Sequence, residues 1–263
     1  MKHFILLPVF ALFLSTIACE SFQEEEEETI CFPVSMSMTL VQGSQTNKII
    51  ADFHYIPDTE RLDHITWSNH QTHYFEYDES DRIKVIRVFK VDAKVQEERW
   101  FVYDGFLVER IDLVKRNLDY TYLEPLDSIY TGYVEYVYEG ENVIEELEYE
   151  ISDGGYREEY VRKLTYAYDN QDNLLSSTEL DPRSGESSSS TMTYDQGKHP
   201  YSAIQYYFNG ESYVSNMLTR LDEESGFDYT YELSLNEYEY PNTVYEKLGA
   251  AYTRFISYDY QYK

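Results

Sequence analysis

The stretch Tyr74 to Ile86, YFEYDESDRIKVI, decides how the rest of the chain is read. Phe75 and Tyr77 stand two apart, so a strand would place both on one face. Asp78-Glu79-Ser80-Asp81 is a polar, turn-forming run, and Arg82-Ile83 opens a second apolar segment. The whole reads as a β-hairpin closed by a short acidic turn.

Relatives of this hairpin recur. Tyr77, Tyr103, Tyr138, Tyr168 and Tyr194 are spaced 26, 35, 30 and 26 residues apart. Two residues before each stands Phe75, Phe101, Tyr136, Tyr166 or Met192, and an acid follows each: Asp78, Asp104, Glu139, Asp169 or Asp195. A short carboxylate at that point can accept backbone N–H groups from the turn. The return strand then begins with an aliphatic residue: Ile83, Val108, Val143 or Leu174. The acids of these copies read as turn caps rather than a catalytic set, because an active site needs its acids once.

Strand-like segments of 5 to 10 residues fill the chain from Val34-Ser-Met-Ser-Met-Thr-Leu-Val41 onward, with no long apolar stripe at helical spacing. The best helical candidate is short, Pro200 to Tyr207, and Arg183 to Ser190 (RSGESSSS) reads as a hairpin tip. The expected fold is all-β, an antiparallel meander of roughly 14 to 18 strands. So wide a sheet twists and curls, and the reading is an open barrel or half-shell with a tyrosine-rich interior.

The amino terminus reads differently. Met1-Lys2-His3 precedes an apolar run, Phe4 to Leu14, of signal-peptide length, and Leu14-Ser-Thr-Ile-Ala-Cys19 resembles a bacterial lipobox. Residues 1–18 are therefore expected as a lipoprotein signal peptide. Residues 19–32 follow as a lipidated Cys19 with an acidic tether, and residues 33–263 as a single all-β repeat domain. The five glutamates Glu24 to Glu28 repel one another and stay solvated. They are similar to the acidic export signals of Bacteroidetes surface lipoproteins. With Cys19 acylated, Cys31 has no disulfide partner in the chain and reads as a buried small side chain.

Tyr-x-Tyr-Asp, a polar turn, Arg or Asn, then Ile or Leu resembles the YD repeats of the RHS class, most clearly in FEYDESDRIKVI and YAYDNQDNLLSS. The glycine common before the turn's Arg is absent at Ser80-Asp81-Arg82. With the leader, the chain resembles Bacteroidetes lipoproteins carrying degenerate repeats of this kind. That resemblance implies an outer-membrane lipoprotein displayed on the cell surface, attached to the membrane only through its lipid. The encapsulating role of large RHS shells does not follow, since the repeats here are too few to enclose a cargo.

A net charge of −28 without a basic cluster excludes nucleic acid as a partner. No Gly-x-Ser-x-Gly, Cys–His pairing or phosphate loop is present, so no nucleophile is identified. His54, His64, His70 and His73 cluster, and Asp169 to Asn173 (DNQDN) faintly resembles a calcium loop. Neither completes a ligand set, so no metal and no cofactor is expected. Trp67 and Trp100 are the candidate ligand contacts, because sugar rings stack on exposed aromatic faces. The expected role is binding or structural, towards a glycan or a partner protein. The alternatives are a carboxylate-based glycan hydrolase and a purely structural envelope lipoprotein.

Overall fold

The computed structural model describes residues 31–90, 95–117, 127–152, 157–198 and 215–262. Cys19, the glutamate run and the helical candidate Pro200 to Tyr207 lie outside them. The described residues form sixteen strands. They are β1 (Cys31–Gln42), β2 (Gln45–Tyr55), β3 (Leu62–Trp67), β4 (Gln71–Tyr77), β5 (Ile83–Lys90), β6 (Val95–Asp104), β7 (Leu107–Asn117) and β8 (Asp127–Glu139). The second half comprises β9 (Asn142–Ser152), β10 (Arg157–Tyr168), β11 (Leu174–Leu180), β12 (Ser187–Lys198), β13 (Ser215–Asp222), β14 (Phe227–Leu235), β15 (Pro241–Leu248) and β16 (Ala251–Tyr262).

Each strand pairs antiparallel with its chain neighbours, and β1 pairs with β16 from Cys31 opposite Tyr262 to Leu40 opposite Arg254. The barrel is closed. The expectation of an open barrel or half-shell is therefore corrected: joining the two terminal strands removes both unpaired edges at once. Strand β1 begins at Cys31, so Cys31 and Phe32, expected in the tether, are buried strand residues. Ser187 to Ser190, expected at a hairpin tip, belong to β12, and the turn itself is Asp181 to Glu186.

The two faces of the sheet differ sharply. Met36, Ala51, Phe53, Ile65, Phe75, Ile86, Val88, Ile111, Val134, Tyr166, Met192 and Tyr258 are all buried, and strand register places them on one face. Side chains converge on the concave side of a closed sheet and splay on the convex side, so this face lines the lumen. The lumenal apolar groups form two clusters. The larger runs over β16 and β1 to β5, and the smaller joins Val143, Tyr166, Leu174 and Met192.

One end of the barrel carries the tyrosine–acid turns, together with the start of β1 and the end of β16. There the repeated tyrosines latch successive hairpins together. Tyr77 donates its hydroxyl to the Leu62 carbonyl (2.9 Å), Tyr103 to Ile83 (2.7 Å) and Tyr138 to Val108 (2.9 Å). Tyr55 and Tyr260, which lie outside the aligned copies, do the same to Pro33 and Pro241 (2.8 Å each). The acceptor lies within the first three residues of a neighbouring strand. Arg82, from the preceding turn, stacks 4.2 Å over the Tyr103 ring, and Arg61 lies 5.2 Å over Tyr77. Removing single latches, as in Tyr77→Phe or Tyr138→Phe, is expected to cost about 0.5–1.5 kcal/mol each. Urea midpoints would read this out, and an unchanged midpoint for both variants would show that the hydroxyls do not hold the turns.

Two of the repeat acids, Asp78 and Asp169, cap their turns. Asp78 accepts the N–H groups of Ser80 (2.8 Å) and Arg82 (3.0 Å), and Asp169 accepts those of Gln171 (2.8 Å) and Asn173 (2.9 Å). The Arg82 guanidinium, helped by these N–H groups, holds the Asp78 carboxyl below the usual aspartate range, and the Asn173 and Gln171 N–H groups hold that of Asp169 there. Asp81 and Asp172 take the left-handed backbone, φ 62° in each, at the position where a glycine would fit most easily. The acid of the copy at Tyr194 has a more distant partner. Asp195 clamps Asn216 (N–H to Oδ1 3.1 Å) at the start of β13.

Candidate functional site

The lumen is divided between two kinds of wall. Over β16 and β1 to β5 it is mainly apolar; the polar groups on this face include Arg254 of β16, Gln71 and Lys90 of β4 and β5, and His73, which lies 5.7 Å from the Trp67 ring. Burial pushes the His73 imidazole down to about 4, with Arg99 and Lys90 adding to the effect, so it is neutral near pH 7. Over β8 to β11 the lumen carries charge. The segment Val143 to Glu150, an undifferentiated acidic run in the sequence, is sorted by strand alternation: Glu146 and Glu148 point inward and Glu145 outward.

Arg162 joins the two inward glutamates, with Nη2 3.2 Å from Glu146 Oε1 and Nε 2.7 Å from Glu148 Oε2. The Tyr166 hydroxyl donates to Glu146 at 3.3 Å. Only 4% of Glu146 is exposed. Burial holds its carboxyl above the usual range, partly offset by Arg162 and the Tyr166 hydrogen bond. A second buried acid, Glu246, accepts from the Tyr231 hydroxyl (3.0 Å) and Thr253 (2.9 Å), with Arg254 at 3.7 Å. Toward the end away from the tyrosine turns, a cavity of about 410 Å³ is lined in part by Glu97, Arg99, Lys115, Glu148 and Glu150.

The outer face is ionic along the strands. Arg87 pairs with Glu76 and with Glu98 (2.9 Å), and Arg116 lies 3.0 Å from Glu98. Lys163 pairs with Glu145 (2.5 Å), Arg110 with Asp112 (2.8 Å) and Lys247 with Glu232. Among these charges stand aromatic groups. Tyr133, Tyr149 and Tyr160 stack across three strands at 4.6 and 5.3 Å, capped by Arg110 at 5.6 Å. A second row runs from His54 through His64 to Tyr74.

Trp67 and Trp100 are not brought together. Trp67 faces the lumen, opposite Ala51, with its indole N–H buried and without a hydrogen-bond partner. Trp100 faces outward opposite Val85, donates to Glu98 (2.9 Å) and lies under Arg87. The histidine cluster is likewise split: His54 and His64 face outward, His73 inward, and His70 occupies a turn at φ 65°. No group of three or more metal-ligating side chains occurs among the described residues. Asp169 to Asn173 is a capped turn. Sequence reasoning missed the Glu146–Arg162–Glu148 group. Its signal was the position of Glu146 and Glu148 in strand alternation, on the same face as Val143 beyond the bulge.

Neither a protein-family model nor a curated protein matches this sequence. Solved structures do. The chain is similar in fold to a porin-like barrel protein. That protein, from Bacteroides vulgatus, superposes with a TM-score of 0.53 at 12% identity, over 88% of this chain and 99% of the other. A porin-like protein from Bacteroides uniformis reaches 0.42 at 12% identity, over 87% and 98%. A chain of the Photorhabdus luminescens Tc holotoxin pore reaches 0.34 at 15% identity, over 83% of this chain and 11% of its own. The last two likenesses are too slight to carry an argument. At its low identity the first establishes a shared antiparallel barrel and nothing of activity.

Proposed function

We propose that this protein is a lipid-anchored barrel that stands in water at the cell surface and works as a binding module, its hairpins being degenerate YD-type repeats. The observation that carries the reading is the outer face. A membrane-spanning barrel needs an apolar outer band about 25 Å tall, and each Arg or Lys at mid-bilayer costs about 2–4 kcal/mol. Here Arg87, Glu98, Lys163 and Glu145 sit along the outward side of the strands. Such a barrel is held at a membrane by something other than its wall, and the lipobox-like Cys19 supplies the candidate.

Strand β1 starts at the tyrosine-turn end, so that end faces the anchor and the opposite hairpins point away. Eleven residues lie between Cys19 and Cys31, a stretch that extended would reach about 40 Å. The lumenal charges also support a binding role, because buried ions are weak contributors to stability and are more often found where a ligand is handled.

The test is membrane partition of the full-length protein. Wild type is expected in the outer-membrane fraction, released by detergent and not by high salt, and Cys19→Ala in the soluble fraction. Retention of Cys19→Ala in the membrane, resistant to urea, would mean that the barrel wall itself is embedded and would overturn the reading. Release of new reducing ends from incubated polysaccharide would favour the hydrolase alternative, with Glu146 and Glu148 as its carboxylates.

A further inference from the structure

Strand register lines up His54, His64, Tyr74 and Arg87 across the outer face of β2 to β5. The His54 and His64 rings are stacked, 4.1 Å apart and within 13° of parallel, and Tyr74 continues the row 5.5 Å from His64. The row then changes character. Phe89 stands 5.5 Å from Tyr74 at 89°, so the two rings form a corner rather than a continued stack. Tyr74 is 44% exposed, high for a large ring in mid-strand.

The corner opens into a depression of about 630 Å³ whose lining includes Asp63, Thr72, Glu76 and Arg87. That volume lies in the range of small-molecule sites. Arg87 is fixed from two sides, by Glu76 and Glu98, and Asp63 is held 2.7 Å from His64 Nδ1. The polar groups around the rings are thus positioned before any ligand arrives, which lowers the ordering cost of binding.

We propose that this corner is a binding site for a neutral saccharide; the proposal rests on reading the protein as a binding module and assigns that role to one surface. The C–H face of a pyranose packs on Tyr74 and Phe89 as other apolar surfaces pack on rings. Its hydroxyls donate to the Asp63 and Glu76 carboxylates and exchange hydrogen bonds with Thr72. Two carboxylates beside the rings, in a chain of net charge −28, repel uronates and other acidic sugars. The Tyr133–Tyr149–Tyr160 stack offers no equivalent, because its rings cover one another and Arg110 closes one end.

Detergent-solubilised full-length protein, titrated calorimetrically, tests this. The probes are neutral oligosaccharides of glucose, mannose, galactose and xylose, with oligogalacturonate as the acidic comparator. At least one neutral oligosaccharide is expected to bind and oligogalacturonate to give no heat. Tyr74→Ala and Phe89→Ala are each expected to weaken binding about three- to tenfold. Tyr74→Phe, which keeps the ring, is expected to retain it and so separates loss of stacking from loss of fold. Tyr245→Ala, an exposed outer ring on β15, should leave binding unchanged. Wild-type affinity in Tyr74→Ala and Phe89→Ala would remove the site and leave the binding function standing. Oligogalacturonate binding as tightly as the neutral sugars would overturn the assigned chemistry. Failure of every saccharide, with a protein partner captured instead, would overturn this inference and not the binding reading.

Discussion

Gly132→Ala is expected to lower stability by about 3–4 kcal/mol, combining overpacking with backbone strain. Gly132 lies in β8, buried between Leu113 of β7 and Glu150 of β9. A β-carbon there would run into the carbonyl oxygen of Tyr149 and come within 3.3 Å of the Glu150 Cα. These are backbone atoms of a paired strand, so neither can move without breaking ladder hydrogen bonds. The local φ of +156° adds strain for an alanine. For a chain of this size the change corresponds to a melting point lower by roughly 6–16 °C. Gly105→Ala is the control, since its turn site has φ +60° and no atom within 4 Å of the added carbon. It should suffer only the conformational penalty of about 1 kcal/mol. Equal losses for the two variants would show that the close approach at Tyr149 does not constrain β8.

Arg162→Met is expected to destabilise the barrel by about 2–4 kcal/mol near pH 8, because it strands Glu146 and Glu148 without their shared cation. The lower part of that range is favoured by Arg162 keeping 36% of its side chain in water. The effect should depend on pH in a definite sense. Burial raises the folded-state Glu146 carboxyl above its ordinary range, so the folded protein takes up this proton at higher pH than the unfolded chain does. Without Arg162 the ionised form loses its partner and the difference widens. The penalty is therefore full where Glu146 must be ionised, and it shrinks as pH falls through its raised folded-state value. Chemical denaturation at pH 8 and pH 5 would read it out, with Arg162→Met/Glu146→Gln/Glu148→Gln recovering most of the loss. A penalty identical at both pH values would show that lost packing, not stranded charge, explains the variant.

Much of the wall was legible in local sequence. The Tyr77–Asp78 turn, the paired ring at Phe75 and the aliphatic return at Ile83 are consequences of contacts a few residues apart, and such contacts leave a local pattern. The Asp78 and Asp169 caps follow from the same short range. The copy at Tyr194 was not legible in this way, because Asp195 accepts from the N–H of Asn216, 21 residues on. Nothing near Asp195 marks a partner so distant. The tyrosine hydroxyls were also illegible as latches: the acceptors of Tyr77, Tyr103 and Tyr138 lie 15, 20 and 30 residues back along the chain.

The candidate sites were less legible still. Trp67 and Trp100 look equivalent along the chain, yet strand parity places one in the lumen and the other outside. The rings of the proposed saccharide corner, Tyr74 and Phe89, come from β4 and β5, the two strands joined by the Asp78 turn. Tyr74 sits on the face opposite the Phe75–Tyr77 pair, and its apposition to Phe89 depends on the register of β4 against β5.

Sequence alone determined that this chain is antiparallel β throughout its described length, with capped acidic turns at Asp78 and Asp169, because alternation and turn chemistry act over a few residues. Tertiary structure decided that the sheet closes and which face became the lumen. It also decided which glutamates of Val143 to Glu150 were buried. Closure joins Cys31 to Tyr262, residues at opposite ends of the described barrel, and the pattern along a strand cannot specify which distant strand will meet its edge.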